Sequence, residues 1–352
     1  MIKIFTEISH YDSSKRNFLS DILRPFLPIE RLKEFGIENG IIKLVKNIED
    51  SDLCLLPLSW NYYLKTNTTF LAKKMIKKAQ ENGRKILIGV NGDYFIRIPN
   101  SEHIIGTYTS IYKSLNKSNY IPLPVIIRDP LQYINKDKID IRKLNKIPSI
   151  GFCGQIDSNS MVSLLKLFKR VWQNILFYSQ LSYSYTGPII PPTFIRRKVL
   201  NIIEEKSDKI YSVFIRRSKY QGGMSKGDDS FESIRKEFYQ NINYTDYTLC
   251  IRGTGNFSTR FYETLALGKI PIFINTDCIL PFSDIINWKE HLVWIEYDEI
   301  SQVGTKILEF HKSLTEKSFN QLQISNRRLW EEYFSFSGYF KQLISHIGKE
   351  LN

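Results

Sequence analysis

The residues of this 352-residue chain best suited to chemistry lie between Tyr247 and Ile295. An apolar strand, Leu249-Cys250-Ile251, runs into Arg252, then Gly253 and Gly255, then Asn256, Ser258 and Thr259-Arg260-Phe261-Tyr262-Glu263. The glycines permit a tight turn and close backbone approach. Asn256 or Ser258 is placed to cap a helix by accepting its first free N–H groups. That helix start, with Arg252 and Arg260 beside it, is an anion site suited to a diphosphate. Glu263 falls three residues after Arg260 on one helical face. A carboxylate there is better suited to a ribose diol than to a phosphate. The competing reading is a surface ion pair between Arg260 and Glu263, worth at most about 1 kcal/mol. A Gly-x-Gly turn by itself has little specificity: the third glycine of a dinucleotide fingerprint is missing, and there is no G-x-x-x-x-G-K-[ST] loop.

Other charged groupings point elsewhere. Asp50-Ser51-Asp52 has a D-x-D form but directly precedes the strand at Leu53, so it reads as a solvated strand start. Asp228-Asp229 reads as loop chemistry. The five histidines show no H-x-x-x-H or H-E-x-x-H spacing, so no metal site is expected. Cys54, Cys153, Cys250 and Cys278 lack a C-x-x-C pair and sit in or beside apolar runs, as buried thiols of a reducing compartment do.

Positioning these residues requires two cores, because the length exceeds what one usually serves. Strands are expected at Ile2 to Ile8, Leu53 to Leu58 and Lys85 to Val90, with a helix over Lys65 to Asn82 ended by Gly83. A polar stretch from Asn135 to Lys146 is the expected linker. Strands then recur at Ser149 to Cys153, Lys209 to Arg216, Tyr247 to Ile251 and Ile270 to Ile274. Helices are expected at Ser160 to Ser179, Ser230 to Asn241 and Ser258 to Leu267, and two basic amphipathic helices at about 300–334 and 337–351. This pattern predicts two α/β halves with parallel sheets, facing a cleft that binds ligand at the carboxyl ends of the strands. The divisions are 1–145, 146–334 and a terminal helix over 335–352 that packs back on the first half.

The formal charge is +13, from 49 Lys and Arg against 36 Asp and Glu, which favours anionic partners. The basic residues are spread out and no nucleic-acid-binding signature is present, so nucleic acid is not an expected partner. The chain opens on Ile2-Lys3-Ile4-Phe5 with no leader-like segment, and no apolar stretch approaches the roughly 20 residues that span a bilayer. The expectation is a cytoplasmic protein, at most peripheral at the inner face of the cell membrane, with the basic helices after Ile300 as the lipid-facing candidates.

The runs Leu249-Cys250-Ile251-Arg252-Gly253, Ser258-Thr259-Arg260-Phe261-Tyr262-Glu263-Thr264-Leu265 and Gly268-Lys269-Ile270-Pro271-Ile272-Phe273 resemble, in order and spacing, the signature of the exostosin family. Asp277, Leu280-Pro281-Phe282 and Ile285-Ile286-Asn287-Trp288 continue it. Gly151-Phe152-Cys153-Gly154, Phe214-Ile215-Arg216-Arg217 with Gly222-Gly223, Thr109-Ser110-Ile111-Tyr112, Leu123-Pro124 and Arg328-Leu329-Trp330-Glu331-Glu332-Tyr333 are similar to further stretches of bacterial members. Asn287 and Thr264 depart from the pattern, where relatives carry Asp and Ala.

The resemblance implies a GT-B fold of two Rossmann-like domains and an inverting transfer from a nucleotide sugar, a UDP-sugar foremost, without an essential metal. A glycan or lipid-linked acceptor of surface polysaccharide (lipopolysaccharide or capsule) synthesis would follow. It implies that Arg252 and Arg260 face the diphosphate with Ser258, Thr259 and Asn256, that Glu263 holds the ribose, and that Gly154 lets the first loop pass close to the donor. Arg216 or Arg217 would add a cation; neighbours on a strand point oppositely, and Arg217 is favoured. The base is expected from the first half. Asp93, after the strand Lys85 to Val90, is the candidate, against His10 and Asp12 and against a plain loop role. The alternative function is a non-catalytic, exostosin-like partner of an active transferase.

Overall fold

The computed structural model describes residues 1–27, 31–34, 36–37, 40–156, 160–218 and 229–351. Gly222-Gly223 and Asp228 therefore lie outside the described residues, as does the side chain of Asp229.

The first half is a parallel sheet of six strands: β1 (Ile2–Phe5), β2 (Ile42–Val45), β3 (Leu53–Leu55), β4 (Ile86–Val90), β6 (Ile104–Tyr108) and β7 (Tyr120–Pro122), ordered β2-β1-β3-β4-β6-β7. The short α1 (Arg31–Glu34), α2 (Trp60–Lys65) and α3 (Thr69–Glu81) flank it, and a small strand β5 (Phe95–Ile96) follows β4. The second half is a five-stranded parallel sheet of β8 (Ser149–Gln155), β10 (Tyr211–Arg217), β11 (Tyr247–Cys250), β12 (Ile270–Asn275) and β13 (Val293–Glu296), ordered β10-β8-β11-β12-β13. Its helices are α4 (Ser160–Tyr178), α5 (Pro192–Glu204), α6 (Asp229–Asn243), α7 (Thr259–Ala266), α8 (Val303–Ser313), α9 (Glu316–Leu329) and α10 (Phe336–Leu351), and β9 (Ser184–Tyr185) lies between α4 and α5. Two Rossmann-like sheets are thus present, each built from buried apolar runs such as Ile86–Val90 and Ile270–Phe273.

Several elements depart from the sequence expectation. The first strand stops at Phe5 and a 3-10 turn forms at Ile8–His10. The helix expected over Lys65 to Asn82 begins only at Thr69, because Asn67 takes a left-handed φ of 57° that Asn tolerates and a helix does not. The helix expected over 300–334 is broken at Thr315, which caps α9 in a reciprocal pair with Ser318. β2, β6, β7, β13 and α5 had no sequence assignment; most of these strands are only three to five residues long.

The stretch Asn135 to Lys146 is strapped to the second half rather than spanning free space. Arg142 pairs with Asp246, the Lys269 ammonium donates to the Asp140 carbonyl, and Gln323 brackets the Arg142 backbone. The apolar face of α10 is also spent: Phe340, Leu343 and Ile347 enter one core with Ile22, Leu23 and Phe26 of the first half. The Phe26 and Phe340 rings meet edge to face at 6.0 Å. Those three residues of α10 are therefore not free to face lipid. Among the described residues no helix is long and apolar enough to cross a membrane, and no cluster of His, Cys, Asp and Glu could hold a metal ion.

Candidate functional site

The carboxyl ends of β8 and β11 in the second half turn toward the carboxyl end of β4 in the first. Three tethers fix this approach. β5 and β9 pair as an antiparallel ribbon between the halves, Phe95 opposite Tyr185. Tyr112 bridges to Cys278. Asp277, held at a left-handed φ of 66°, accepts from the Lys113 and Ser114 N–H groups at 2.8 and 3.2 Å.

Asn256 is a fourth tether, and its role differs from the capping reading. Its amide nitrogen donates to the Ile111 and Asp277 carbonyls at 2.9 and 3.0 Å, its oxygen accepts from Thr276, and its backbone N–H meets the Ser110 hydroxyl at 2.9 Å. Both polar atoms of the side chain are thereby engaged, the amide nitrogen joining the halves at Ile111 and the oxygen bracing the turn within the second half. Ser258 occupies the N-cap position of α7, but its side chain makes no capping bond. Ser258, and Thr259 in the first turn, are each partly exposed.

Arg252 leaves β11 and folds over its own turn. Its guanidinium donates to the Thr254 carbonyl at 2.9 Å and to Asn256 at 3.4 Å, and lies over the Tyr112 ring at 5.5 Å. Arg260 is buried beneath β8, with its guanidinium on the Cys153 and Leu249 carbonyls and over the Phe152 ring at 4.5 Å. Burial pulls its pKa down from the ordinary arginine value. Gly154 makes this possible: a Cβ there would come within 2.8 Å of the guanidinium.

Glu263, only 3% exposed, accepts from the Tyr239 hydroxyl at 3.1 Å. Burial raises its carboxyl, while Arg235 and Arg260 oppose that rise. Arg260 and Glu263 are both buried, so a surface ion pair is not what they form. They are instead charges under the loops that close the strand ends.

Across the junction, Asp93 sits on the loop after β4. Its carboxyl is raised by desolvation, with Arg252 pulling it back down. The contact is tight: a Cβ at Gly255 would lie 3.1 Å from the Asp93 Cα. The rival candidates are occupied. Asp12 caps a turn through the Ser14 N–H and pairs with Lys15, which holds its carboxyl down at about 2. His10 bonds the Tyr63 hydroxyl at 2.9 Å, and burial lowers its pKa.

Arg216 and Arg217 point to opposite sides of β10, as alternation requires. Arg216 pairs with Glu204 on α5, and Arg217 with Glu237 on α6. Asp52 accepts the Lys3 N–H at 2.8 Å, in keeping with a strand start. The cysteines are inert: burial pushes Cys54 up to about 11 and Cys250 and Cys278 up to about 12.

Two arginines at the site had escaped notice. Arg196 on α5 donates to the Gln155 and Arg252 carbonyls at 3.1 and 2.9 Å, locking the two strand-end loops together. Arg170 on α4 donates to the Pro188 carbonyl at 2.8 Å and lies near enough to Arg252 for each to repel the other's charge. Neither follows a glycine or a strand, so no local motif marks it. Only the fold brings them to the cleft.

The fold and site define an α/β protein of two parallel sheets with buried arginines gathered at the strand ends of the second. The family model described as the exostosin GT47 domain matches residues 187–309 of this chain. The chain is similar to "Probable glucuronosyltransferase GUT1" of Oryza sativa subsp. japonica, 35% identical over 68 residues, which is 19% of this chain and 16% of the relative. It is similar to Exostosin-1 of Drosophila melanogaster, 28% identical over 107 residues, 30% of this chain and 14% of the relative. The matched segments thus span less than a fifth of those relatives. Among solved structures, a TarM mutant of S. aureus in complex with Fondaparinux, alpha-GlcNAc-glycerol and UDP aligns over 93% of this chain and 58% of that one, with TM-score 0.40 and 8% identity.

Proposed function

We propose that this chain is an inverting glycosyltransferase that moves a sugar from a nucleotide-sugar donor, a UDP-sugar foremost, to a hydroxyl of a glycan or lipid-linked acceptor. The observation that supports this reading is the facing of Asp93 and Arg252 across the junction of the two halves, at the carboxyl ends of both sheets. In this reading the diphosphate lies over the turn Arg252–Ser258, against the N–H groups of α7 and the hydroxyls of Ser258 and Thr259. Arg252 offsets the leaving charge directly. Arg260 acts from below, as a buried cation holding the β8 end, and Gly154 leaves room for the donor above it. Glu263 serves the ribose side, and Arg217 adds charge from β10. Asn256 keeps the turn fixed to the first half. Asp93 takes the acceptor proton, for which a raised carboxyl is better matched than an ordinary one. With arginines neutralising the diphosphate, no metal is essential. Bacterial surface polysaccharide synthesis at the cytoplasmic face of the membrane is the setting that fits such an acceptor.

The test is thermal-shift screening against a panel of nucleotide sugars. A ligand at 100 times its dissociation constant adds about 2.7 kcal/mol to stability. Glu263→Gln, which keeps the shape and can still bond Tyr239, should abolish the shift without unfolding the chain. Transfer should persist in excess chelator. A chain that binds no nucleotide sugar is a partner subunit and not a transferase, and the proposal fails.

A further inference from the structure

Nine of the twenty large apolar side chains exposed on the described surface fall within 168–194. On α4, Phe168, Trp172, Ile175 and Tyr178 recur at helical spacing along one face, with Trp172 60% exposed. Leu181 and Tyr183 extend the stripe past the helix end, Leu181 at 77% exposure. The chain that follows lies alongside: Arg170 and Asn174 bind the Pro188 and Gly187 carbonyls at 2.8 and 3.1 Å, which sets Ile189 and Ile190 beside the helix. The opposite side of α4 is anchored, with Phe177 buried in the first half's core and capped by the Arg97 guanidinium at 4.3 Å. Nothing among the described residues covers the outer stripe.

Charge identifies what would cover it. From Ser160 through Ile190 the sequence holds three cations, Lys166, Lys169 and Arg170, and no Asp or Glu. An apolar, aromatic-rich stripe on a cationic segment is the composition of a helix lying in the interface of an anionic bilayer. A second protein copy would have to bring this same cationic segment against itself, and sugars would gain little from the exposed Ile175, Leu181 and Ile189.

We propose that α4 and the segment through Ile190 form a membrane-docking surface for anionic lipid. The surface adjoins the cleft, since Arg170 of the same helix stands beside Arg252. Docking there would bring the cleft mouth to the bilayer. The proposal concerns lipid binding alone and stands apart from the transferase reading, since it is read without donor or acceptor.

The experiment is cosedimentation of the full chain with vesicles of phosphatidylcholine, with and without phosphatidylglycerol. Wild type should pellet with the anionic vesicles and lose that binding in high salt. The double variant Trp172→Glu, Leu181→Glu should bind about tenfold more weakly or worse, with an unchanged melting curve. Phe70→Glu, at a position 64% exposed on α3, should bind like wild type. Equal binding by wild type and the double variant overturns the proposal, as does wild type that ignores anionic vesicles. A dimer in solution that Trp172→Glu dissociates also overturns it, assigning the stripe to a second copy.

Discussion

The Arg260 guanidinium occupies the space in which Gly154 would carry a side chain, at 2.8 Å from that missing Cβ. The glycine and the arginine are therefore one device. The arginine carries its charge under β8 only because the strand end above it has no side chain. Gly154→Ala should displace the guanidinium from the Cys153 carbonyl, costing about 1–3 kcal/mol of stability as overpacking does. It should also weaken nucleotide-sugar binding. Thermal melting and titration calorimetry read the two effects separately, and a variant that binds donor normally would detach Gly154 from the site.

Asp93 and Arg252 make a prediction in pH. Desolvation raises the Asp93 carboxyl and Arg252 lowers it. If Asp93 is the base, kcat/KM falls on the acid side as this carboxyl protonates, at a pH above the usual carboxylate range. Removing the cation with Arg252→Gln should move that limb to still higher pH, because the opposing effect is gone. Asp93→Asn should abolish the limb with the activity. An acid limb that stays in place in Arg252→Gln would show that another group titrates.

Lys269 is fully buried at the start of β12, and burial lowers its ammonium from 10.5 to about 8. Between those values the unfolded chain binds more protons than the folded one, so stability rises with pH across that window. Below it the buried charge costs up to about 3 kcal/mol. Denaturant unfolding of wild type should thus show a stability gain from about pH 8 to 10 that Lys269→Met lacks. Parallel pH profiles for the two proteins would contradict the assignment.

Asn256 joins the halves through its amide nitrogen on the Ile111 carbonyl and braces its own half through Asp277 and Thr276. Asn256→Ala leaves the buried Ile111 carbonyl without a partner and should destabilise by about 1–3 kcal/mol. Asn256→Asp, which keeps the shape but loses two donors, should be nearly as costly. Urea denaturation checks both, and a loss below about 0.5 kcal/mol would mean water replaces the side chain.

The strands around the site were legible because Leu249–Ile251 and Ile270–Phe273 are unbroken apolar runs bounded by Gly and Arg. The two-half α/β plan followed from their alternation with helices. What the sequence could not show is direction. Arg252 and Arg260 are both buried arginines near a glycine turn, yet one folds back on its own turn and the other lies beneath a strand whose Gly154, about a hundred positions earlier, leaves it room. Asn256 looks like a helix cap, and Ser258 takes that place without bonding. The partners that decide it, Ser110 and Ile111, belong to the other half. Strands such as Ile42–Val45 carry a lysine in mid-run and are defined by pairing with β1 rather than by their own pattern.

The shared core of Phe26 and Phe340 has a consequence for the order of assembly. The first half cannot close around Ile22, Leu23 and Phe26 until Phe340, Leu343 and Ile347 arrive from the far end of the chain. On the ribosome, its sheet would form while one flank stayed bare through most of synthesis. The earlier half is thus completed only by a helix that follows the later one, so its apolar flank needs shelter until α10 docks.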